Sequence, residues 1–427
     1  MIAPVDSYKP EPRVDIAPLA VLRIVIGITF WFWASKFLVD DRWAIFFTKP
    51  LILFKYNGFE WVRLWPEDGI WWHFQWTRVA AVCLAIGLLT RLSALALAFS
   101  MAYTMLVERQ IYNNHDYLLA TTAFLMALMP AGRRFSVDAW VQSVLFTKQS
   151  AVTTMPLWQW WLVRFQLGMP YVFGAIAKLD ADWRAGQPSG MFVDSRVDTP
   201  IIGPLFAMDQ AQFVMTWGGL FFDLLIVPAL LFKPTRIVAI VAACAFHLTN
   251  ATIFQIGVFP WFMLATLFVF FPVGYIPRLF GIRADDQAET SDRRDRISES
   301  RPVRWLIGGY VLIQLLLPIR PWVLHGNPAW NERGQRFAWR MMLRHKECLL
   351  WYKVETDDDF LFTPAEFVMT PNQVRRAPRD PEMVRQAAVK IEDLVRSTGI
   401  EDCRVYALAL VSLPRANRRS RRRPHHG

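Results

Sequence analysis

Three polar clusters lie at the ends of long apolar stretches of this sequence. They are Asn113, Asn114, His115 and Asp116; Lys178, Asp180 and Asp182; and His247, Thr249 and Asn250. A charged side chain at membrane depth costs about 3 kcal/mol on insertion scales, so it is rare and usually faces a bundle interior. Any one cluster alone is typical of an interhelical hydrogen bond. Three clusters expected at one side of the same bundle indicate a functional site.

Lys178 is the candidate for proton transfer. It follows an apolar helix within the segment 161–183, WLVRFQLGMPYVFGAIAKLDADW, which also carries Tyr171. An amine held in an apolar pocket gives up its proton more readily, because desolvation disfavours the ammonium, and it can then act as a general base. The simpler alternative is a lysine that snorkels to the interface and pairs with Asp180.

The histidines and asparagines are suited to stabilise the anion that this base would produce. His247 and Asn250 are spaced i,i+3, so both side chains lie on one helix face. Imidazole and amide groups can donate hydrogen bonds to the oxyanion that forms when an acidic, lipid-soluble molecule loses its proton. The clusters therefore predict deprotonation of such a molecule.

Other chemistries lack their motifs in this sequence. There is no HxxxH or CxxC pair for a metal, no GxSxG nucleophile elbow and no GxxxxGK[ST] phosphate loop. A transporter is a further alternative, because buried charges and broken helices mark transport sites. The sequence shows no repeated halves of the kind that many transporters have.

Composition indicates a polytopic membrane protein. Of 427 residues, 54% are hydrophobic, and 20 tryptophans suit interfacial aromatic belts. We expect a mainly α-helical bundle of about nine spans of up to about 20 residues each. The net charge of +11 lies largely in loops and a basic tail, and no nucleic-acid module accompanies it. The expected spans are residues 19–38, 76–89, 92–108, 117–129, 161–183, 213–232, 237–254, 258–275 and 303–317.

The expected organisation has four parts: a cytoplasmic lead (1–18), a transmembrane domain (19–318), an extramembrane domain (319–413) and a basic tail (414–427). A cytoplasmic N-terminus places the basic loops inside, as the positive-inside rule asks. It also places all three polar clusters near the outer face.

The extramembrane domain is predicted to be a small α+β unit outside the membrane. Residues 349–354 and 404–413 have the composition of strands, and 380–397 that of an amphipathic helix capped by Asp380. Cys348 and Cys403 both lie in this domain and could pair in an oxidising compartment.

Several motifs resemble the vitamin K-dependent γ-glutamyl carboxylase family, also called the HTTM family. The similarity runs in order along the chain from about residue 21 to 413. Its most specific part is KLDADW combined with an upstream NNH and a downstream HxxN. The motifs are NNHDYL at 113–118, FSVDAW at 135–140, MPLWQWWLVRFQ at 155–166, KLDADW at 178–183, HLTNATIFQIGVFPWFML from residue 247 and FAWRMM at 337–342.

The resemblance implies a carbon–carbon lyase with quinol epoxidase activity. In the family, reduced vitamin K is deprotonated by the lysine that matches Lys178, and the quinol anion reacts with O2 to give a strongly basic alkoxide. That base removes the γ-proton of a glutamyl residue, the carbanion captures CO2, and the quinone leaves as its 2,3-epoxide. His115 and Asn114 match residues that hold the quinone oxygens, whereas Tyr171, His247 and Asn250 match other pocket positions. The implied co-substrates are reduced vitamin K or menaquinone, O2, CO2 and a glutamyl-containing peptide or protein.

Some features depart from the animal members of the family. Ala177 replaces a second lysine, Arg340 stands where the animal pattern is acidic, and the animal members have a longer lumenal region. The resemblance therefore implies quinol oxygenation more directly than carboxylation. Quinol epoxidation without carboxylation and a non-catalytic quinone- or lipid-binding membrane protein remain the alternatives. Short loops and high arginine and alanine usage lead us to expect a bacterial homologue in the cell membrane.

Overall fold

The computed structural model describes residues 12–66, 68–145, 153–200, 203–254, 256–281, 301–357 and 359–413. Its helices in the first half of the chain are α1 (Ala17–Leu38), α2 (Gly69–Ile86), α3 (Thr90–Val107), α4 (Asn114–Leu128), α5 (Val137–Leu145), α6 (Leu157–Ala177), α7 (Ala181–Arg184) and α8 (Ser189–Asp194). Those in the second half are α9 (Gly203–Phe206), α10 (Ala211–Phe213), α11 (Gly219–Leu231), α12 (Arg236–Ile253), α13 (Phe259–Ala265), α14 (Tyr275–Leu279), α15 (Arg301–Val323), α16 (Pro328–Asn331), α17 (Pro371–Val374) and α18 (Pro381–Arg396).

The membrane character of the chain is carried by long apolar helices. Within the described ranges, five helical stretches are long and apolar enough to cross a bilayer, so the expected count of about nine spans is not confirmed. Some of the other expected spans are short: α4 ends after 15 residues, and the stretch from Phe259 is broken into α13 and a 3-10 turn. The five are Ala17–Asp41, Thr90–Val107, Ala211–Leu231, Arg236–Ile253 and Pro302–Val323.

Helix α1 is the best-buried of these five spans and packs against α2 at very short range. A Cβ atom on Gly27 would lie 2.7 Å from the carbonyl oxygen of Ala81, so only glycine permits this approach. Arg23, on the same helix, is fully buried and donates to the carbonyl oxygens of Ala131 at 2.9 Å and Phe135 at 2.5 Å. Those bonds fix the loop after α4 against the start of α1.

A short two-stranded sheet marks one end of the bundle. Strand β1 (Arg13–Asp15) pairs antiparallel with β2 (Thr154–Pro156), and Asp15 forms an ion pair with Arg134. The chain therefore enters α1 and α6 from the same side. Since α6 runs away from this sheet, its last residues and Lys178 lie toward the opposite end of the bundle.

That opposite end carries the C-terminal module, which we define as residues 347–412. Strands β3 (Glu347–Thr356), β4 (Phe360–Pro364) and β5 (Cys403–Ser412) form an antiparallel sheet in the order β4-β3-β5. Helix α18 covers one face, where Tyr352 and Ile391 are fully buried with Phe54 from the loop after α1. The expected helix and two of the strands are thus present, with Asp380 as the N-cap, whereas β4 was not anticipated.

The two cysteines of the C-terminal module are not bonded. Both are free thiols, and the register pairs Cys348 with Val411 but Cys403 with Thr356. They therefore lie near opposite ends of paired strands, about 27 Å apart at the rise of a strand. A disulfide needs Cα atoms within about 7 Å, so pairing within this fold is excluded.

Two expectations lie wholly or largely outside the described residues. The cytoplasmic lead is described only from residue 12, and the basic tail (414–427) not at all.

Candidate active site

One face of α6 presents the groups around which the site is built. Tyr171, Gly174 and Lys178 are spaced i, i+3 and i+7, so they follow one another along that face, with Lys178 as the C-cap residue. Tyr171 and Gly174 are buried, and the lysine side chain is only 9% exposed. The helix thus delivers an amine into the protein interior.

The amine of Lys178 meets a carboxylate from another helix. Its Nζ donates to Oδ2 of Asp223 on α11 at 2.5 Å and to the carbonyl oxygen of Gly219 at 3.3 Å. The indole ring of Trp183 lies 5.3 Å from Nζ and contributes a cation–π contact. The Asp223 side chain is 5% exposed, so this is a buried ion pair.

The alternative in which Lys178 pairs with Asp180 at the interface is therefore wrong. Asp180 and Asp182 are both exposed, and the carboxylate of Asp180 caps α7 by accepting from the backbone N–H of Asp182 at 2.9 Å. Sequence reasoning missed Asp223, although one signal was available. It is the lone acidic residue in the apolar run WGGLFFDLLIVPALL of residues 217–231.

Glycine makes the approach of Asp223 to α6 possible. A Cβ atom on Gly174 would lie 2.8 Å from Oδ2 of Asp223, closer than real Cβ contacts allow. The carboxylate therefore packs directly on the α6 backbone, one turn before the lysine it binds.

A second polar pair lies on the same face of α6. The hydroxyl of Tyr171 and Nε2 of His247 on α12 are 2.9 Å apart, and both side chains are buried. Phe222, the neighbour of Asp223, packs edge-on to Tyr171 at 6.0 Å between ring centroids and stacks on Phe246 at 3.9 Å. Among the residues that the structure describes, Nδ1 of His247 is buried without a hydrogen-bond partner. His247 thus offers one unpaired polar atom among these aromatic rings.

Asn250 lies one turn after His247 on α12 and is half-buried. The two residues lie on one face of α12 as predicted, but of the two only His247 is fully buried, at 1% exposed.

The NNHD cluster forms the start of α4. Asn113 donates to the carbonyl oxygen of Ile111 at 2.9 Å and to Oδ2 of Asp116 at 3.2 Å, while Oδ1 of Asn114 accepts from the hydroxyl of Tyr112 at 2.9 Å. Nε2 of His115 lies 3.7 Å from Oδ1 of Asp116, and the imidazole is 15% exposed. The cluster is thus braced by its own hydrogen bonds, and the His115 side chain is slightly exposed.

An aromatic ring joins two of the clusters. The ring centroid of Phe259 is 5.6 Å from that of His115 and 6.3 Å from that of His247. Tyr171, seven residues before Lys178 on α6, contacts His247, and the ring of Phe222, which precedes Asp223, lies 6.1 Å from the His247 ring between centroids. In the described part of the chain, however, the polar contacts of His115 and Lys178 run to different partners: Nε2 of His115 lies 3.7 Å from Asp116, and Nζ of Lys178 donates to Asp223 and Gly219.

The chemistry that this arrangement supports is proton transfer to and from an apolar aromatic molecule. It offers an amine–carboxylate pair, two histidines and ring faces from Phe222, Phe246 and Phe259. No group of three or more metal-ligating side chains comes together within the ranges described above.

Two family models match the chain. Residues 10–275 match the model described as HTTM domain, and residues 299–424 match the vitamin K-dependent gamma-carboxylase lumenal domain. The first match alone covers more than half of the chain, and together they include every residue of the three clusters. No solved structure matches the chain.

Proposed function

We propose that this chain, which belongs to the vitamin K-dependent gamma-carboxylase family, is a membrane enzyme in which Lys178 deprotonates a reduced naphthoquinone. The quinol is then oxygenated to its epoxide, and this step is coupled to carboxylation of a glutamyl residue. The observation that carries the proposal is the environment of the Lys178 amine. It is buried at the end of α6 beside aromatic rings and next to a group with which it can share a proton.

The described residues fit a quinol. Such a molecule is a flat apolar ring with an oxygen on each side, so it requires aromatic contacts and polar atoms that can meet those oxygens. The imidazole rings of His115 and His247 both lie beside the ring of Phe259, and Nδ1 of His247 has no hydrogen-bond partner within the described ranges. We assign contacts with the quinone oxygens to His115 and Asn114, and we place Tyr171, His247 and Asn250 at other positions of the same pocket.

Each residue then has a defined task. Lys178 accepts the quinol O–H proton on Nζ, and the imidazole and amide donors hold the resulting oxygen charge. Quinol, O2, glutamyl residue and CO2 are consumed, and epoxide, γ-carboxyglutamyl residue and water are formed, so atoms and electrons balance. The family implies reduced vitamin K as the quinol, and we propose menaquinone as an equally suitable substrate because its oxygenated ring is the same.

The bundle end that carries Lys178 also carries the C-terminal module. The loop after α1 and the turn after α3 both contact that module, for example from Gln373 Nε2 to the carbonyl oxygen of Ile52 at 2.7 Å. We propose that this end faces outside a bacterial cell and that the N-terminus is cytoplasmic. A thiol label on a Ser397→Cys variant should then react on intact cells beyond the level of the parent chain. Reaction only after lysis would overturn the orientation.

The reaction is tested with purified protein in lipid, supplied with reduced vitamin K or menaquinone, O2, labelled CO2 and glutamyl peptides. The proposal expects epoxide and label in the peptide from the parent, and neither from Lys178→Ala. Asp182→Asn is the matched control, because it removes a nearby exposed charge that does not touch Nζ.

The products distinguish the remaining alternatives. Epoxide without labelled peptide would reduce the function to quinol epoxidation. Quinol binding without epoxide would leave a quinone-binding membrane protein. Equal epoxide from Lys178→Ala and the parent would remove Lys178 from the chemistry.

A further inference from the structure

Lys178 can serve as a base only if its nitrogen has a free lone pair. In the structure Nζ lies at hydrogen-bond distance from two oxygens, the Asp223 carboxylate and the Gly219 carbonyl. A carbonyl oxygen can accept a hydrogen bond but cannot take up the proton. Asp223 is therefore the contact that can relieve the ammonium of its proton.

The position of Asp223 depends on several features of the fold. Gly174 leaves the space that Oδ2 fills, and Gly219, one turn before Asp223, turns its carbonyl oxygen to the same amine. A Cβ atom on Gly219 would lie 3.9 Å from Nζ and 3.7 Å from the Trp183 ring, so this glycine lies directly beside the pair. Two glycines and an indole thus shape a compartment for one amine and one carboxylate.

We propose that Asp223 is the positioning and proton-sharing residue of Lys178, an inference that rests on the proposed function of that lysine. The resting pair holds one shared proton and no net charge, so it persists in the protein interior without a further counterion. When the proton is on Oδ2, Nζ has its lone pair and can accept a second proton.

Protons and charges balance in this step. A quinol O–H bond breaks and a new Nζ–H bond forms, while the shared proton stays on the carboxyl group. The pair gains one positive charge, which faces the one negative charge of the quinol oxygen. No electron moves in this step, and the proton leaves again when the pair returns to its resting state.

The test separates this step from oxygenation by excluding O2. Purified protein in lipid is titrated anaerobically with reduced vitamin K, and ultraviolet absorbance reports the fraction of bound quinol that is ionised. Bound quinol is counted separately by extraction. The parent and Asp182→Asn should ionise the same fraction of bound quinol, and Lys178→Ala should ionise almost none.

The decisive variant is Asp223→Asn, which keeps the shape and removes the proton-accepting group. We expect it to bind quinol within threefold of the parent but to lower the ratio of ionised to un-ionised bound quinol about tenfold or more, because an amide cannot take the proton from Nζ and loss of the carboxylate shifts the equilibrium by about one pKa unit or more. Its kcat for epoxide should fall while its KM for quinol stays near that of the parent. A parent-like ionised fraction in Asp223→Asn would overturn the proposal.

A second measurement does not depend on that variant folding. The infrared difference spectrum of the parent on anaerobic quinol binding should gain a protonated-carboxyl band that Lys178→Met does not gain. No such band in the parent would also overturn the proposal. If Lys178→Ala ionises quinol as the parent does, the proposed function itself fails; if only Asp223→Asn does, the role of Asp223 fails alone.

Discussion

Two buried carboxylates of this protein show how differently one type of ion pair can be built. Asp223 meets the amine of Lys178 and packs against the backbone of Gly174. Asp380, at the C-terminal module, accepts from Arg109 at 3.0 Å and Arg336 at 2.5 Å and caps α18 through the backbone N–H of Glu382. Both carboxylate side chains are about 5% exposed.

The difference lies in where a proton can go. Guanidinium groups do not release protons in proteins, so Asp380 stays a carboxylate between permanent charges. Burial alone would raise the pKa of Asp380, but Arg336 and Arg109 outweigh burial and hold that pKa below its usual range. An amine can release its proton, so the Asp223 pair can change its state. One carboxylate joins the module to the bundle; the other supports chemistry.

Removing the whole Lys178–Asp223 pair should produce the largest change in activity. In the double variant Lys178→Met, Asp223→Leu, epoxide formation should fall by about 10² to 10⁴-fold, the usual contribution of general acid–base catalysis. Stability should be unchanged or higher, because replacing a buried pair with apolar groups is often neutral or stabilising by about 1–4 kcal/mol. Epoxide assays and thermal melting in lipid measure both. A strongly destabilised double variant would mean that this pair is structural too.

Removing Asp380 should produce the largest change in stability. Asp380→Ala leaves two guanidinium groups facing each other at a buried site, which costs about 3–5 kcal/mol. The control is Glu382→Gln, which breaks an ion pair with the exposed Arg385, worth at most about 1 kcal/mol. Thermal melting compares the two variants. Equal melting temperatures for both would show that the Asp380 contacts do not join the module to the bundle.

Lowering the pH should progressively weaken the contacts that Asp380 makes between the C-terminal module and the bundle. Because the pKa of Asp380 is lowered in the folded protein, its contribution is complete above the unfolded value of about 4 and is lost as pH falls through the folded pKa. The loss should be smaller than in Asp380→Ala, since a neutral carboxyl still fills the space. Melting curves of the parent and of Asp380→Asn between pH 6 and pH 3, a window of about three units around that value, test this. The difference between them should shrink toward acid; a constant difference would contradict it.

The sequence predicts the surroundings of Asp380 more completely than those of Asp223. Helix α18 and its cap at Asp380 follow from local rules, because an N-cap, a proline in the first turn and an apolar stripe lie within one segment. The sequence predicts Lys178, Tyr171 and His247 as candidate site residues. It does not predict Asp223, because the partner of Asp223 lies 45 residues away and their contact depends on the packing of α6 against α11. A local sequence pattern does not reveal a contact between residues so far apart in the chain.

The expected count of nine spans is not confirmed, for a similar physical reason. Residues 258–275 are apolar enough to suggest a helix that crosses the membrane, but α13 ends at Ala265 and a 3-10 turn follows. Apolar composition predicts burial in lipid or protein and does not by itself set helix length.

Filling the space beside Asp223 tests whether the exact position of its carboxylate matters when the residue itself is kept. In Gly174→Ala, the new Cβ would lie 2.8 Å from Oδ2, so the carboxylate must move away from α6. Overpacking of this kind costs about 1–3 kcal/mol, and epoxide formation should fall while both members of the pair remain. Gly168→Ala is the matched control on the same helix, because its Cβ would be 3.8 Å from the nearest atom, Val227 Cγ2. Equal activity of the two variants would show that the exact position of the Asp223 carboxylate is unimportant.

The smallest effect should come from the second polar pair on α6. Tyr171→Phe removes the hydroxyl that bonds His247 at 2.9 Å and leaves the ring contact with Phe222 intact. A net hydrogen bond is worth about 0.5–1.5 kcal/mol, so kcat/KM for quinol should fall by up to about tenfold. Tyr275→Phe is the control, since Tyr275 is about half exposed and lies outside the site. If Tyr171 positions His247 for the quinol, its variant should lose quinol affinity while bound quinol remains ionised by Lys178. Loss of ionisation with affinity unchanged would instead move Tyr171 into the proton-transfer group with Asp223.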